Sequence, residues 1–406
     1  MMRFQFHLCK VLVAAGAVSA FTLVQAEPWP VWRGDPAMTG VCKETLPFPL
    51  KLAWKFPQEE KEKVEKPGDA GKAEGAGKEQ KKEERRGAVK ATAVSDGERF
   101  YIGDGGGKFY ALGAKDGKPV WTWTPKEADS IEGSALLVGG QVIFGTLNGT
   151  VFSLDAKTGK ETWFFKTEAE VRAAPNVFER PGQPPLILIG SYDNNLYALN
   201  SQDGKEVWKV ETGNYVNGSA AVVDGLTAFG GCDGYIYFVN ALDGKESGKM
   251  EVKNPIANTV AARNGLALLA HYGHEVVALE PKKLEPKWVY NERDFEYFAS
   301  PAVSASGFVF VGDRGKRMHC LNLTDGNEKW SFRTKGRIDS SAVVTGENIV
   351  FGCDDGKIYG VGIKDGSEVW SYEIGQPIQS SPCISGGRLV MGADDGVIYC
   401  FEAEKK

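Results

Sequence analysis

SSAVVTGENIVFGCDDGKIYGVGIKDGSEVW, running from Ser340 to Trp370, is the stretch that decides the fold of this chain. It opens on a small-residue strand, Ser340-Ser341-Ala342-Val343-Val344, and turns at a Gly. An apolar strand ending in Gly follows, Ile349-Val350-Phe351-Gly352, and then the turn Asp355-Gly356. The third strand is Ile358-Tyr359-Gly360-Val361, and after a further Gly turn a fourth strand carries Trp370. Asp-Gly dipeptides favour tight hairpins because both central residues tolerate positive φ. Four short strands separated by such turns specify one antiparallel blade, and no helical periodicity competes.

The unit recurs. Its third strand is found as Phe109-Tyr110-Ala111-Leu112, Val151-Phe152-Ser153-Leu154, Leu196-Tyr197-Ala198-Leu199, Ile236-Tyr237-Phe238, Val276-Val277-Ala278-Leu279, Met318-His319-Cys320-Leu321 and Ile398-Tyr399-Cys400-Phe401. With the quoted copy that makes eight, at a period of about 40–45 residues, the signature of a propeller. The chain is therefore expected to be all-β, an eight-bladed β-propeller of four-stranded antiparallel blades over 88–406.

The Trp slot checks the blade number. Trp121, Trp163, Trp208, Trp288, Trp330 and Trp370 fill it, and the fourth repeat has Gly248 there. The eighth repeat stops before its Trp strand. Lys51-Leu52-Ala53-Trp54-Lys55-Phe56 supplies the missing strand, so residues 50–56 are predicted to close the last blade from the other end of the chain. Large indoles in this slot would pack between neighbouring blades.

Residues 57–87 hold almost nothing apolar; from Glu59 to Arg86 nine acidic residues alternate with nine basic ones. Such a segment is expected to be a disordered, solvated loop. The start of the chain, with Arg3 and Lys10 before an apolar run ending in Val24-Gln25-Ala26, reads as an export signal over 1–26 cleaved near Ala26. No Cys follows the cut, so no lipid anchor is expected, and residues 27–49 form an N-terminal segment. Localisation is then periplasmic or secreted. No second apolar stretch is long enough to span a membrane.

Six cysteines lie beyond the signal: Cys42, Cys232, Cys320, Cys353, Cys383 and Cys400. Several fall in repeat slots that elsewhere hold Ala: Cys320 and Cys400 in one, Cys232 and Cys353 in another shared with Ala393. They read as small core filler. A net charge of −5 gives no reason to expect nucleic acid as a partner.

The Ser-Ser-Pro, apolar-Gly-Asp-Asp-Gly, Tyr-Ala-Leu, Asp-Gly-Lys, Trp pattern resembles the pyrroloquinoline-quinone (PQQ) enzyme repeat. Quinoprotein dehydrogenases share that repeat with the outer-membrane assembly lipoprotein of the β-barrel assembly machinery. The segment Trp29-Pro30-Val31-Trp32-Arg33-Gly34-Asp35-Pro36 is similar to the opening of secreted PQQ-like propellers. For the dehydrogenases the resemblance implies PQQ over a Trp floor beneath a disulfide of adjacent cysteines, with Ca²⁺ held by Glu, Asn and Asp. This chain has no Cys-Cys dipeptide and no Cys-x-x-Cys-His.

Any site is expected at the channel mouth, where the innermost strands begin. The polar slot there holds Glu132, Arg172, Asn217, Asp339 and Gln379, with Ala257 and Phe298 in blades five and six. Lys90 is a further member, its repeat one residue out of register. His271-Tyr272-Gly273-His274, where blade five should have its Asp-Gly turn, reads as a surface turn that with Glu275 could also ligate a metal. His319 reads as a packed core residue, and Arg33-Gly34-Asp35 as an incidental adhesion-like tripeptide. The function expected is a non-catalytic binding or protein-interaction scaffold with protein partners in the cell envelope and no cofactor. The alternative is a PQQ- and calcium-dependent quinoprotein-type oxidoreductase lacking the adjacent-Cys pair, with Glu132, Asn217 and Asp339 as metal ligands. A third reading is a sugar-binding propeller with Tyr215 and Tyr297 as exposed aromatic platforms.

Overall fold

The structure, a computed structural model, describes residues 27–57, 87–127, 129–291 and 295–404. The expected signal over 1–26 and nearly all of the expected charged loop lie outside these residues. The described chain is strands and turns with no helix, and eight antiparallel sheets follow one another around a ring. In blade 7 the strands run Val343–Thr345, Asn348–Gly352, Lys357–Gly362 and Glu368–Glu373 from the channel outward. The middle two strands of a blade are covered on both faces by the neighbouring blades and are buried along most of their length. The outermost strand meets solvent, so in Glu206–Glu211 only Trp208 is buried.

The N-terminal strand closes the ring as its Trp predicted. Leu50–Phe56 pairs antiparallel with Ile398–Ala403, setting Trp54 opposite Cys400 as Trp370 stands opposite Gly360. Blade 7 departs from the four-strand rule, because Val41–Cys42 adds a fifth, parallel strand on its channel edge.

The Trp slot works as a dock between blades. Trp121 Nε1 donates to Ala156 O at 3.0 Å, Trp163 to Ser201 O at 3.0 Å, and Trp330 to Ile363 O at 2.9 Å, each acceptor lying in the next blade. Trp370 reaches Leu50 O at 2.9 Å and Trp54 reaches Ala114 O at 3.1 Å, so the seam is docked like the rest. Beneath every one of these indoles except Trp370, on which Phe48 packs, lies the Gly of the next Asp-Gly-type turn. A Cβ on Gly159 or Gly366 would come within 2.7 Å of the ring, and both glycines have φ near +72°. Only Gly satisfies both demands. Where blade 4 has Gly248 in place of Trp, Leu284 of blade 5 fills the space.

A second connection runs around the channel. Thr92 N–H donates to Ser134 Oγ at 2.9 Å, Ser219 to Thr259 Oγ1 at 2.9 Å, and Thr259 to Ser300 Oγ at 3.0 Å. Ser300 donates to Ser341 Oγ at 2.9 Å, Ser341 to Ser381 Oγ at 3.0 Å, and Ser381 back to Thr92 Oγ1 at 3.0 Å. Six of the eight blades thus hand a backbone donor to the hydroxyl of the next. Ala174 occupies this position in blade 3 and cannot accept.

Three residues farther along each innermost strand, residues 27–46 form a strap that circles the channel. Ser95 N–H donates to Trp29 O at 2.8 Å, Leu137 to Pro30 O at 2.7 Å, Val222 to Pro36 O at 2.7 Å and Ala262 to Ala37 O at 2.8 Å. Val303 then donates to Thr39 O at 2.8 Å and Val344 to Gly40 O at 2.8 Å. Asn176 Nδ2 of blade 3 reaches Pro36 O at 2.7 Å, and Ser385 Oγ of blade 8 reaches Glu27 O at 2.6 Å. Every blade is engaged.

Arg33 lies wholly inside this strap and is not displayed as part of an adhesion tripeptide. Its guanidinium donates to Ala342 O at 2.8 Å and Pro301 O at 3.0 Å. Burial pulls its pKa down to about 9, against the pull of Asp35, so the group is still charged at neutral pH. Gly40, at φ +68°, is the one residue that leaves room for that guanidinium.

Three expectations are corrected by burial. His271 is fully buried, because the first residue after the second strand is covered in every blade; Asp313 and Cys353 share that column. Tyr297 is also fully buried. It occupies the column of Val216, Ile256 and Ile338, whose side chains pack against the Gly ending the preceding blade's second strand. Cys232 does not share the slot of Cys353. It lies one residue later, at the rim, and is half-buried while the other five described thiols are buried.

His319 is buried as expected, within an ionic network. Its Nε2 meets Asp313 Oδ2 at 3.0 Å and its Nδ1 meets Glu328 Oε2 at 2.8 Å, while Tyr290 Oη donates to the same Glu328. Burial opposes the imidazolium, yet the two carboxylates outweigh it and raise the His319 pKa. The hydrogen bond from His319 leads the causes that hold Glu328 down at about 2.

Two outcomes follow from these connections. Ser341→Ala leaves the Ser300 N–H without its acceptor, and urea denaturation should show a loss of about 1–3 kcal/mol. His319→Gln should lower the thermal midpoint most between about pH 4.5 and 6.5. Above that window the raised imidazole loses its proton and its contribution fades. Below it Glu328 protonates as pH falls toward about 2, and the gap to wild type narrows again.

Candidate functional site

All of the polar-slot residues, Lys90 included, line one cavity of about 200 Å³ at the channel mouth. Lys90, Glu132, Arg172, Asn217, Ala257, Phe298, Asp339 and Gln379 face it, one from each blade. Lys90 is in register after all: Gly105 N–H bonds Ala88 O as Leu147 N–H bonds Ser130 O in the next blade. The hydroxyl ring forms the wall below, and Trp32 of the strap forms the floor. Behind Trp32 stands the buried Arg33, its guanidinium carbon 5.8 Å from the ring centre.

The charged members are paired with one another across blades. Arg172 bonds Glu132 and, through Nε, Glu170 at 2.7 Å; Lys90 reaches the other oxygen of Glu132 at 3.1 Å. Arg314 grips Asp339 with two bonds of 3.0 and 2.9 Å. Arg337 holds Asp354 at 2.8 Å. Asp394 has its pKa raised by burial, with Lys90 acting against the rise.

Two arginine–aromatic stacks stand on the rim. Arg172 lies over Tyr192, which stacks flat on Tyr215 with centres 4.7 Å apart and planes 3° from parallel. Arg314 lies 3.2 Å over Phe298, which packs on Tyr272 at 4.7 Å. Burial pushes the Tyr192 hydroxyl up to about 12, partly offset by Arg172, so it stays a donor and bonds Asn217 Oδ1 at 2.8 Å. Tyr215 is exposed, as expected. Arg314, Tyr192 and Tyr272 were missed by slot reading. They share a column after the second strand that holds six residue types over the eight blades, so no repeat flags it.

A family model described as outer membrane protein assembly factor BamB matches residues 51–177, 123–249, 192–330 and 295–405, which together span the propeller. The chain belongs to the BamB family. No curated protein matches it. Among solved structures, BamB from Moraxella catarrhalis superposes with a TM-score of 0.65 at 15% identity, covering 78% of this chain and 97% of that one. Quinohemoprotein alcohol dehydrogenase from Comamonas testosteroni gives a TM-score of 0.73 at 13% identity, covering 93% of this chain and 81% of its own. A europium-containing methanol dehydrogenase gives 0.69 at 14%, covering 92% and 98%. At such identities the likeness shows the propeller alone.

The residues of this BamB-family chain do not fit the calcium-bound quinone that the dehydrogenase resemblance implies. Calcium needs several oxygens converging at about 2.3–2.6 Å on one point. Glu132, Asn217 and Asp339 sit in blades 2, 4 and 7, spread around the ring rather than gathered. Glu132 and Asp339 already carry arginine partners, and Asn217 Oδ1 is taken by Tyr192. Among the described residues no three His, Cys, Asp or Glu side chains come together as a metal group, His271 and His274 included.

The mouth electrostatics can be checked on one carboxyl. Lys90→Met removes the group that opposes burial at Asp394, so carbon-detected NMR titration should show the Asp394 pKa rising further.

Proposed function

We propose that this BamB-family propeller is a non-catalytic scaffold of the cell envelope, periplasmic or secreted, that holds a protein partner at its channel mouth. The observation that carries this reading is the pair of arginine–aromatic stacks on the rim, Arg172–Tyr192–Tyr215 and Arg314–Phe298–Tyr272. Tyr and Arg anchors dominate protein interfaces when they sit rigid, because little conformational entropy is lost on binding. Here each guanidinium is fixed by a carboxylate on its edge and a ring on its face.

The two faces of the ring are unequal. The strap crosses the far side, whereas the rim of the mouth cavity carries the exposed rings of Tyr215 and Phe295. The family's name, outer membrane protein assembly factor, supports an envelope protein as the partner class. No cofactor forms part of this reading, and the paired state of Glu132 and Asp339 favours it over the quinoprotein alternative.

Photocrosslinking amino acids at Tyr215, Phe295 and, on the strap face, Lys43 test it. In intact cells the two mouth positions should capture the same outer-membrane protein and Lys43 should not. Capture from Lys43 alone, or from none of the three, rules the mouth out as the docking face.

A further inference from the structure

The strap does not merely circle the channel; its two ends meet. It leaves blade 8 at Glu27, passes blades 1 to 7 in order, and returns to blade 8 at Cys42 and Glu44. Glu44 closes the circle. Its Oε1 accepts the backbone N–H of Glu27 at 3.1 Å and that of Gly386 at 2.8 Å, and its Oε2 accepts Gly387 N–H at 2.7 Å. Three backbone nitrogens therefore converge on one carboxylate, and one of them belongs to the residue that follows Ala26.

In the sequence, Val24-Gln25-Ala26 is the small-residue end of the apolar leader. We infer that hydrolysis of the Ala26–Glu27 bond by a signal peptidase creates an α-ammonium that Glu44 captures, so that leader removal locks the strap. Water adds across the amide: Ala26 leaves as a carboxylate on the leader, and the Glu27 nitrogen gains the protons that make it –NH₃⁺. Before the cut the same nitrogen is a neutral amide with a single hydrogen. After it, the donor is charged as well as the acceptor, so an exposed ion pair is added to a bond that already ends on a carboxylate.

The placement has a mechanical side. Glu27 is the last strap residue before the leader, so a retained leader would leave the ring at the seam where the strap closes. Glu27 O is also tied, through Ser385 Oγ at 2.6 Å, so the new terminus is held on both sides of its Cα. The inference is independent of what binds at the mouth.

The full-length chain, exported in a Gram-negative host and purified from the envelope, supplies the material. Intact mass and terminal sequencing should find Glu27 first; any other first residue overturns the processing step. The α-amine of the mature protein is then titrated by carbon-13 NMR after selective reductive methylation. An exposed pair of this kind should lift its pKa about half a unit above the ordinary range of ~7.7–8.0. Glu44→Gln should return it to that range. A first residue of Glu27 with an amine titrating in the ordinary range overturns the capture while leaving the processing intact. The wild-type titration decides this even if the variant fails to fold.

Discussion

The structure depends on closing a ring whose units cannot stand alone. A four-stranded blade has two apolar faces, and each is covered only when a neighbour lies against it. The hydroxyl chain from Thr92 through Ser134, and from Ser219 to Ser381 and back to Thr92, satisfies this at the narrowest radius. There the backbone just ahead of each innermost strand has no neighbouring strand to pair with, and its N–H groups would otherwise be buried without partners. A Ser or Thr side chain is the smallest group that reaches across and accepts. The Trp docks meet the same need at the largest radius, where bulk is required and a bare hydrogen bond would leave a void.

These two rings leave an open lumen, and the strap fills its far half. It pairs through its carbonyls with strand N–H groups that face the channel, so it completes the sheets from the inside as Leu50–Phe56 completes blade 8 from the outside. Arg33 follows from the same accounting. Ala342 and Pro301 present carbonyls toward the axis where no strand can reach, and a guanidinium offers several donors in one plane. Its charge remains because desolvation lowers the pKa only to about 9.

The repeat made the blades, the closing strand and the cavity-lining slot legible, because each places one residue type at one offset. Trp54 could be assigned from a distance of more than three hundred residues on that basis. The strap could not, since it acts through main-chain carbonyls that leave no side-chain period. Tyr297 was misread for a related reason: a single aromatic in a column of Val and Ile looks like an exception, whereas the column's burial governs it. Tyr215, two positions before the slot, lies in a column that is buried in no blade and stays exposed. Cys232 was placed one column early, which turned a rim thiol into a core one.

What remains unshared among the repeats is concentrated on one face. Glu132 with Arg172, Asp339 with Arg314, and the stacks on Tyr192 and Phe298 each join particular neighbouring blades and break the eightfold pattern. Positions that only maintain the ring have no reason to differ from blade to blade, and a Gly lies beneath six of the seven slot indoles. The slot residue differs in every blade, and most of the polar ones are held by a partner, which gives the rim an asymmetric shape. That asymmetry on a near-symmetric ring supports the proposed docking of a protein surface over a channel that merely holds water.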